Sequence, residues 1–289
     1  MSLASHYGTG RFGLSFELFP PKTDAGVDEL FANVGRLMAY EPQYLTCTYG
    51  AGGSTQGRTL EICRRVRDEY RVPVASHLTV VGSTEAQLRQ YLAQAREGGV
   101  DYIVALRGDP PKGQDGFRPT EGGLRYANEL VALIRGEFPE FGIAVAGYPE
   151  THQEATDGPT DLTNLRRKVD AGADIVITQL FYDNDDFFAF RDRCEAAGIT
   201  VPIVPGILPV TSLSQIRRIA GLCKAGLPIG LCDRLAEQDD AAWQTDVGVD
   251  WAIRQVQALI DGGVPGVHFY VLNRSEATSR VLQAVSVRA

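Results

Sequence analysis

Residues 12–23, FGLSFELFPPKT, decide which α/β fold the sequence favours. The apolar run 12–19 predicts a buried first strand that ends at Pro20. A doubly wound sheet usually carries a glycine-rich G-x-G-x-x-G turn after its first strand, whereas this chain has PPKT there. The stretch therefore favours a barrel, and a doubly wound sheet is the second interpretation.

Seven further apolar runs follow the first strand, and helical patterns separate them. These runs predict strands at 43–48, 73–79, 101–107, 142–148, 174–180, 202–207 and 266–271. Eight strands, each followed by a helix and without a linker, predict an α/β fold of one domain, a (β/α)8 TIM barrel over residues 1–289. Residues 211–263 are too many for one crossover helix. We therefore expect an extra helix before the eighth strand, with 239–248 as a mobile or surface connection.

Charge and cysteine usage limit the classes of partner. The net charge is −8, the sequence pI is about 5.1 and no basic stripe appears, so nucleic acid is not an expected partner. No apolar run approaches the ~20 residues that cross a bilayer. The first residues also lack the pattern of a signal peptide. Five cysteines without a C-x-x-C pair indicate reduced thiols, so we expect a cytoplasmic protein that binds no membrane.

Glu17 is a carboxylate in the middle of the apolar first strand. A buried carboxylate is costly unless it is paired or protonated. A carboxyl held neutral in a pocket can serve as a general acid. The alternative is a structural acid that is hydrogen-bonded to the backbone.

Polar residues recur where the predicted strands end. They are Glu17, Thr48, His77, Arg107, Gly108, Asp109, Tyr148, His152, Gln179, the loop 205–209, Asn273 and Arg274. The carboxyl ends of the strands form the active site of a barrel of this type. These residues together therefore predict a functional site at that end.

Two kinds of catalysis fit the sequence poorly. The four histidines form no H-x-H or H-E-x-x-H pair, so no metal site is expected. His268 falls within the eighth strand and is expected to be a satisfied wall residue. A Schiff base needs a lysine inside the barrel, but every lysine falls in a loop or helix pattern: Lys22, Lys112, Lys168 and Lys224. Reactions in which a cofactor carries the electrons remain.

The helix after the fifth strand has a polar stripe. Asp161, Asn164 and Lys168 share one face at helical spacing. This stripe could bind the ribityl, phosphate or adenosine part of a cofactor. Spacing alone favours the alternative, a solvated edge with Asn164 and Lys168 as a surface pair. The glycine-rich stretch 50–54 could also cradle a ligand, although such a stretch alone is weak evidence.

Seven short motifs together resemble those of the methylenetetrahydrofolate reductase family. In order they are SFELFPPK at 15–22, TYGAGG at 48–53, ALRGDP at 105–110, YPETH at 148–152, ITQLFYD at 177–183, PGILP at 205–209 and HFYVLNR at 268–274. The resemblance, to the short FAD-dependent bacterial form, implies a (β/α)8 barrel that holds FAD and uses NADH or NADPH. The implied reaction reduces 5,10-methylenetetrahydrofolate to 5-methyltetrahydrofolate in ping-pong order and supplies methyl groups for methionine synthesis.

The resemblance also implies roles for individual residues. Glu17 resembles the general acid that protonates N10 of the folate, and Asp109 resembles the acid beside the flavin. The positions that match FAD contacts are Thr48, His77, Arg107, Gly108, Asp109, Tyr148, His152, Asp161, Asn164 and Lys168. The positions that match folate contacts are Glu17, Gln179, Gln215 and Arg274.

One position departs from the family pattern, and three alternative functions stay open. Ile219 stands where relatives have a phenylalanine against the folate or the nicotinamide, which puts substrate affinity and nicotinamide docking in question. We expect no regulatory domain after the barrel and therefore no control by adenosylmethionine, and by analogy we expect a homo-oligomer. The alternatives are a flavin-free reductase, a reductase that needs an electron-transferring partner subunit, and a catalytically silent folate- or flavin-binding barrel. The sequence does not distinguish NADH from NADPH.

Overall fold

The structure, a computed structural model, describes residues 2–8, 10–49, 56–110 and 116–285. Its strands are β1 (Gly13–Leu18), β2 (Tyr44–Cys47), β3 (Val74–Thr79), β4 (Tyr102–Leu106), β5 (Gly142–Gly147), β6 (Ile175–Thr178), β7 (Ile203–Val204), β8 (Gly206–Ile207) and β9 (Gly266–Tyr270). Its α-helices are α1 (Asp24–Leu37), α2 (Gln56–Tyr70), α3 (Glu85–Glu97), α4 (Ala127–Glu137), α5 (Gly158–Asp170), α6 (Asn184–Ala196), α7 (Leu213–Cys223), α8 (Ile229–Ala236), α9 (Ala241–Asp261) and α10 (Glu276–Ala284). Within the described ranges, no helix is both long and apolar enough to cross a membrane.

The sheet closes through a strand that Pro205 interrupts. The order of the parallel strands is β7-β6-β5-β4-β3-β2-β1-β9-β8, so β7 and β8 form its two ends. Pro205 has no N–H to donate, but its carbonyl accepts a hydrogen bond of 2.9 Å from the His268 N–H. β7 and β8 together fill the seventh position of an eight-position barrel. The predicted (β/α)8 fold is confirmed, and the predicted strand 202–207 corresponds to both pieces.

Alternate residues of β1 face opposite sides of the barrel wall. Leu14, Phe16 and Leu18 lie in the hydrophobic core that includes the surrounding helices. Ser15 and Glu17 therefore face the barrel axis. The period of two thus places a carboxyl inside the barrel although its chain neighbours are apolar.

A short 3₁₀ helix, Leu3–Tyr7, closes the amino ends of the strands. Leu3 and Tyr7 are buried, and the Tyr7 and Tyr44 hydroxyls lie 2.6 Å apart. A Cβ atom at Gly13 would lie 2.2 Å from Cε1 of Tyr7, so only glycine lets β1 pass this helix. The amino ends are filled, and the predicted site residues lie at the opposite end.

Three helices, α7, α8 and α9, connect β8 to β9, so the expected extra helix is present. The predicted surface connection at 239–248 is wrong. Asp240 caps α9 by accepting a 2.7 Å hydrogen bond from the Trp243 N–H, and the helix begins at Ala241. Gly248 is buried, and a Cβ atom there would lie 2.0 Å from the Val210 carbonyl oxygen. The segment is therefore helical because it is capped and then packed against the barrel.

Candidate active site

The carboxyl ends of the strands carry the predicted site residues, and we call this end the mouth. Glu17 lies on β1, His77 on β3 and Gln215 on α7. Asp161, Asn164 and Lys168 lie on α5. The remaining predicted residues lie in the segments that follow strands: Thr48, Arg107, Gly108, Asp109, Tyr148, His152, Gln179 and Arg274. Residues 50–54 and Lys112 lie outside the described residues. At Thr48, the N–H donates to the Leu18 carbonyl at 2.9 Å and so joins the ends of β2 and β1.

Glu17 is buried, with 6% of its surface exposed, and its neighbours are imidazoles. Its Oε2 atom lies 3.4 Å from Nε2 of His77 and 4.0 Å from Nε2 of His268. In the described part of the chain, no lysine or arginine nitrogen lies within 4.0 Å of this carboxyl. Two histidines therefore flank the Glu17 carboxyl inside the mouth.

Each of the two histidines is also held by a hydroxyl. His268 Nδ1 lies 2.8 Å from Ser15 Oγ, and His77 Nε2 lies 3.3 Å from Thr46 Oγ1. Burial lowers the pKa of His77, the charge of His268 lowers it further, and the charge of Glu17 opposes both effects. His268 is a satisfied wall residue as expected, but it also faces Glu17, which the sequence analysis did not predict.

Arg107 pairs with a carboxylate that the sequence analysis did not single out. Arg107 Nη1 lies 2.5 Å from Glu154 Oε2, and this pairing lowers the pKa of Glu154. Asp109 is exposed, and among the described residues it has no salt bridge. Arg107 therefore forms its ion pair with Glu154 and not with the nearby Asp109. The Asp109 charge stays available to a ligand at the mouth.

Tyr148 and His152 form an aromatic pair next to Asp161. Their ring centroids are 4.6 Å apart in an edge-to-face arrangement, and the His152 N–H donates to Asp161 Oδ2 at 2.9 Å. Burial lowers the pKa of His152, and the positive charge of Arg107 adds to this. Burial also raises the pKa of Tyr148, as do the charges of Asp161 and Asp109. The loop after β5 thus folds back on α5 and brings these residues into one cluster.

Lys168 does not form the surface pair that spacing alone favoured. Its Nζ donates to the Ala146 carbonyl at 2.5 Å, whereas Asn164, which is exposed, accepts from Arg167 at 3.2 Å. Burial lowers the pKa of Lys168 from 10.5 to about 8, while Asp161 opposes the shift. The lysine belongs to a helix as predicted, but its ammonium group reaches the end of β5.

Because the folded state holds the Lys168 proton less tightly than the unfolded chain does, stability should depend on pH. We expect the free energy of unfolding of the cofactor-free protein to rise by up to about 3 kcal/mol between about pH 8 and pH 10.5, relative to Lys168→Met. Urea unfolding at several pH values measures this difference. Lys224→Met, at an exposed lysine, is the control and should track the unsubstituted protein. Parallel profiles for the protein and Lys168→Met would contradict the prediction.

The backbone at Gly108 packs closely against β3, next to the side chain of Thr79. Gly108 has φ of +85°, and a Cβ atom there would lie 2.5 Å from Cγ1 of Val81 and 3.0 Å from Cβ of Thr79. Thr79 lies two residues beyond His77 on β3, so both side chains face inward. The Thr79 Oγ1 atom is buried and has no hydrogen-bond partner among the residues that the structure describes. In the sequence, the alternation of side chains along a strand would have placed Thr79 on the same inward face as His77.

Gln215 and Arg274 line one small pocket at the mouth, together with Tyr270. Tyr270 donates to the Thr178 carbonyl at 2.7 Å and so spans β9 and β6. Gln179, which follows β6, accepts a 2.9 Å hydrogen bond from the Leu180 N–H through its side-chain oxygen. The structure therefore brings Gln215 and Arg274 together, while the Gln179 oxygen is turned to the backbone.

Other parts of the described chain offer no comparable site. No group of three or more histidine, cysteine or acidic side chains in these ranges could hold a metal ion. A surface cleft beside Arg67, Arg71 and Asp101 lies at the opposite end, near the beginnings of β3 and β4.

Comparison with known proteins gives three findings. The family model described as methylenetetrahydrofolate reductase matches residues 2–286. The chain is 39% identical over 288 residues to methylenetetrahydrofolate reductase (NADH) 1 of Zea mays, covering 95% of this chain and 48% of that protein. It is 39% identical over 280 residues to 5,10-methylenetetrahydrofolate reductase of Escherichia coli K12, covering 96% and 92%. The chain thus spans about half the length of the plant relative.

Solved structures show the same architecture. A Clostridium thermocellum protein that binds two copies of 5-methyl-5,6,7,8-tetrahydrofolic acid superposes with a TM-score of 0.64 at 16% identity. The match covers 98% of this chain and 96% of that one. At this identity the likeness establishes the shared fold alone.

Proposed function

The chain belongs to the methylenetetrahydrofolate reductase family, and on that premise we propose that it reduces 5,10-methylenetetrahydrofolate to 5-methyltetrahydrofolate with NADH or NADPH and bound FAD. The observation that carries the proposal is Glu17, a buried carboxyl inside the mouth between His77 and His268. Opening the five-membered ring of this folate needs a proton at N10, and a positioned carboxyl can supply it.

The residues around the ends of β3, β4 and β5 fit FAD. Arg107 and Lys168 offer positive charge and hydrogen-bond donors for phosphate and ribityl oxygens. Thr79 Oγ1 offers a buried hydroxyl that has no hydrogen-bond partner among the described residues, and the Gly108 backbone packs beside it. Thr48, His77, Gly108, Tyr148, His152, Asp161 and Asn164 would complete the contacts. When bound, FAD supplies the means to take a hydride from the nicotinamide and pass it to the folate.

Glu17 would donate its proton as the ring opens. The bond between N10 and the methylene carbon breaks, its electron pair goes to N10, and N10 takes the Glu17 proton. The N5 lone pair then forms the double bond of a 5-iminium cation, which accepts the hydride. His77 and His268 flank Oε2 of Glu17, so they orient the carboxyl toward this task.

Asp109 would stabilise that cation. It is exposed at the mouth, and its charge reaches Tyr148, whose pKa it helps to raise. Arg107 pairs with Glu154 instead, so among the described residues no salt bridge engages the Asp109 side chain before the ligand binds. A fixed negative charge that faces a developing cation lowers the reaction barrier, and it does so most strongly once the bound ligands cover Asp109 and exclude water.

Arg274 and Gln215 would hold the folate itself. Arg274 is exposed at the mouth and shares a pocket with Gln215, so it suits the glutamate carboxylates of the folate. The net charge of −8 gives no long-range attraction for an anion, so local cations must bind it. Gln179 would contact both the folate and the nicotinamide once its amide turns from the backbone.

The visible spectrum of the purified protein, before and after anaerobic NADH or NADPH, tests the proposal. We expect a flavin band that a nicotinamide bleaches, and 5-methyltetrahydrofolate after the folate is added. A band that neither nicotinamide bleaches would indicate dependence on a partner subunit. A colourless protein that stays without FAD after incubation would overturn the cofactor assignment, and a bleached band without folate product would overturn the reaction.

A further inference from the structure

We propose that Asn273 is a positioning residue, whose side chain clasps the carboxyl end of β1 and fixes Glu17 relative to Arg274. The inference rests on the proposed function, because it assigns Glu17 to proton donation and Arg274 to folate binding. Asn273 takes neither of these roles itself, but its side chain joins the segment that carries Glu17 to the segment that carries Arg274.

The Asn273 amide uses both of its polar atoms on one residue. Its Oδ1 accepts a 2.8 Å hydrogen bond from the Phe19 N–H, and its Nδ2 donates a 2.7 Å hydrogen bond to the Phe19 carbonyl. This is the pairing that a neighbouring strand would provide. A side chain therefore extends the β1–β9 ladder beyond its last backbone pair, Glu17 with Tyr270.

The backbone of the second segment cannot provide these bonds itself. Leu272 and Asn273 have φ of +47° and +58°, so the chain leaves the extended conformation directly after β9. The Arg274 N–H turns back to the Val271 carbonyl at 2.8 Å. Asparagine tolerates the left-handed conformation better than most residues, and its amide carries both a donor and an acceptor.

Within the described ranges, only the Asn273 side chain hydrogen-bonds the Phe19 backbone on the β9 side. It is 38% exposed, and Pro20 follows it without an N–H to share. On the β2 side, the last link that the described residues form is the Thr48 N–H to the Leu18 carbonyl at 2.9 Å. Without the clasp, the end of β1 beyond Glu17 would be held from one side only. Because Phe19 directly follows β1 and lies two residues after Glu17, movement of Phe19 would displace the Glu17 carboxyl.

Asn273→Gly is the decisive variant, because glycine keeps the left-handed backbone and removes only the amide. We expect folate reduction to slow by up to about 100-fold, since misplacing a catalytic group by about 1 Å can cost that much. Reduction of bound FAD by NADH should change by less than about twofold, because it needs neither Glu17 nor Arg274. Asn273→Asp keeps the acceptor but places a carboxylate oxygen against the Phe19 carbonyl oxygen, and because these two oxygens repel each other we expect a loss at least as large.

Gln43 offers a matched control at the other end of the same strand. Its side-chain oxygen accepts from the Leu14 N–H, and its Nε2 donates to the Glu41 carbonyl at 3.1 Å. Gln43→Ala should lower the Tm as Asn273→Gly does, but should leave both half-reactions unchanged. Hydrogen exchange in residues 12–23 of the cofactor-free protein provides a readout without turnover, and we expect faster exchange at Phe19 in Asn273→Gly only.

Three results would overturn the inference. One is a folate rate in Asn273→Gly that equals that of the unsubstituted protein. The second is an equal loss in both half-reactions, because that would indicate a general structural role. The third is unchanged exchange at Phe19. If the unsubstituted protein does not reduce the folate at all, the proposed function fails, and the role of Asn273 fails with it.

Discussion

Glu17→Gln should slow folate reduction by about 10² to 10⁴-fold, the range that a positioned general acid contributes. Glutamine keeps the size of the side chain but has no acidic proton for N10. Reduction of bound FAD by NADH should stay near its original rate, because that half-reaction needs no proton on folate. Stopped-flow absorbance at the flavin band measures the two half-reactions separately.

Glu150→Gln is the matched control for this prediction. Glu150 lies in the loop after β5 and accepts a 2.6 Å hydrogen bond from the Gly226 N–H. A glutamine oxygen can accept the same bond, so both half-reactions should be preserved in this variant. If Glu17→Gln slows both half-reactions, or neither, Glu17 is a structural acid and not the proton donor.

Asp109→Asn should slow folate reduction by about 10² to 10³-fold, the effect of removing one fixed electrostatic group from an active site. It should also shift the reduction potential of bound FAD to a more positive value, because a negative charge nearby disfavours the addition of electrons. Both effects have one origin, since the charge that opposes electrons on FAD also stabilises the folate cation. Dye-coupled reductive titration measures the potential, and single-turnover kinetics measures the rate.

Asp157→Asn removes the same charge from the loop after β5 and is the control. Asp157 caps α5 by accepting a 2.7 Å hydrogen bond from the Thr160 N–H, a role that asparagine performs equally well. We expect little change in potential or rate. An unchanged potential in Asp109→Asn would remove the proposed electrostatic role.

The strand positions were predictable because the barrel imposes a repeated local pattern. Each buried parallel strand is a short apolar run, and turn residues such as Pro20 mark its end. The prediction for residues 239–248 was wrong because Asp239, Asp240 and Gly248 are residue types that are common in loops. In the structure, Asp240 is a helix cap, and only a glycine fits at position 248 because the Val210 backbone lies against it. Local composition does not contain that contact.

Within the site, the sequence indicated which strand ends carry polar groups but not how far each side chain reaches. Spacing put Lys168 on one helical face with Asn164, yet a long side chain lets its ammonium reach the Ala146 carbonyl. His268 was expected to be a wall residue, and only the register of β9 against β1 shows that it also faces Glu17. Glu154 gave no signal, because its partner Arg107 is 47 residues away in the chain.

The interruption at Pro205 has a consequence for how the protein responds to warming. The β6–β7 and β8–β9 pairings each contain two residue pairs, whereas β3–β4 contains five. Thermal fraying should therefore begin at this joint, where Gly206 and Tyr270 hold Thr178 through single hydrogen bonds. The joint adjoins the side of the mouth that carries Gln179, Gln215 and Arg274, and it is remote from the ends of β3 and β4. Just below the melting temperature, we therefore expect weaker binding of the proposed folate substrate while the absorbance of the proposed FAD is retained.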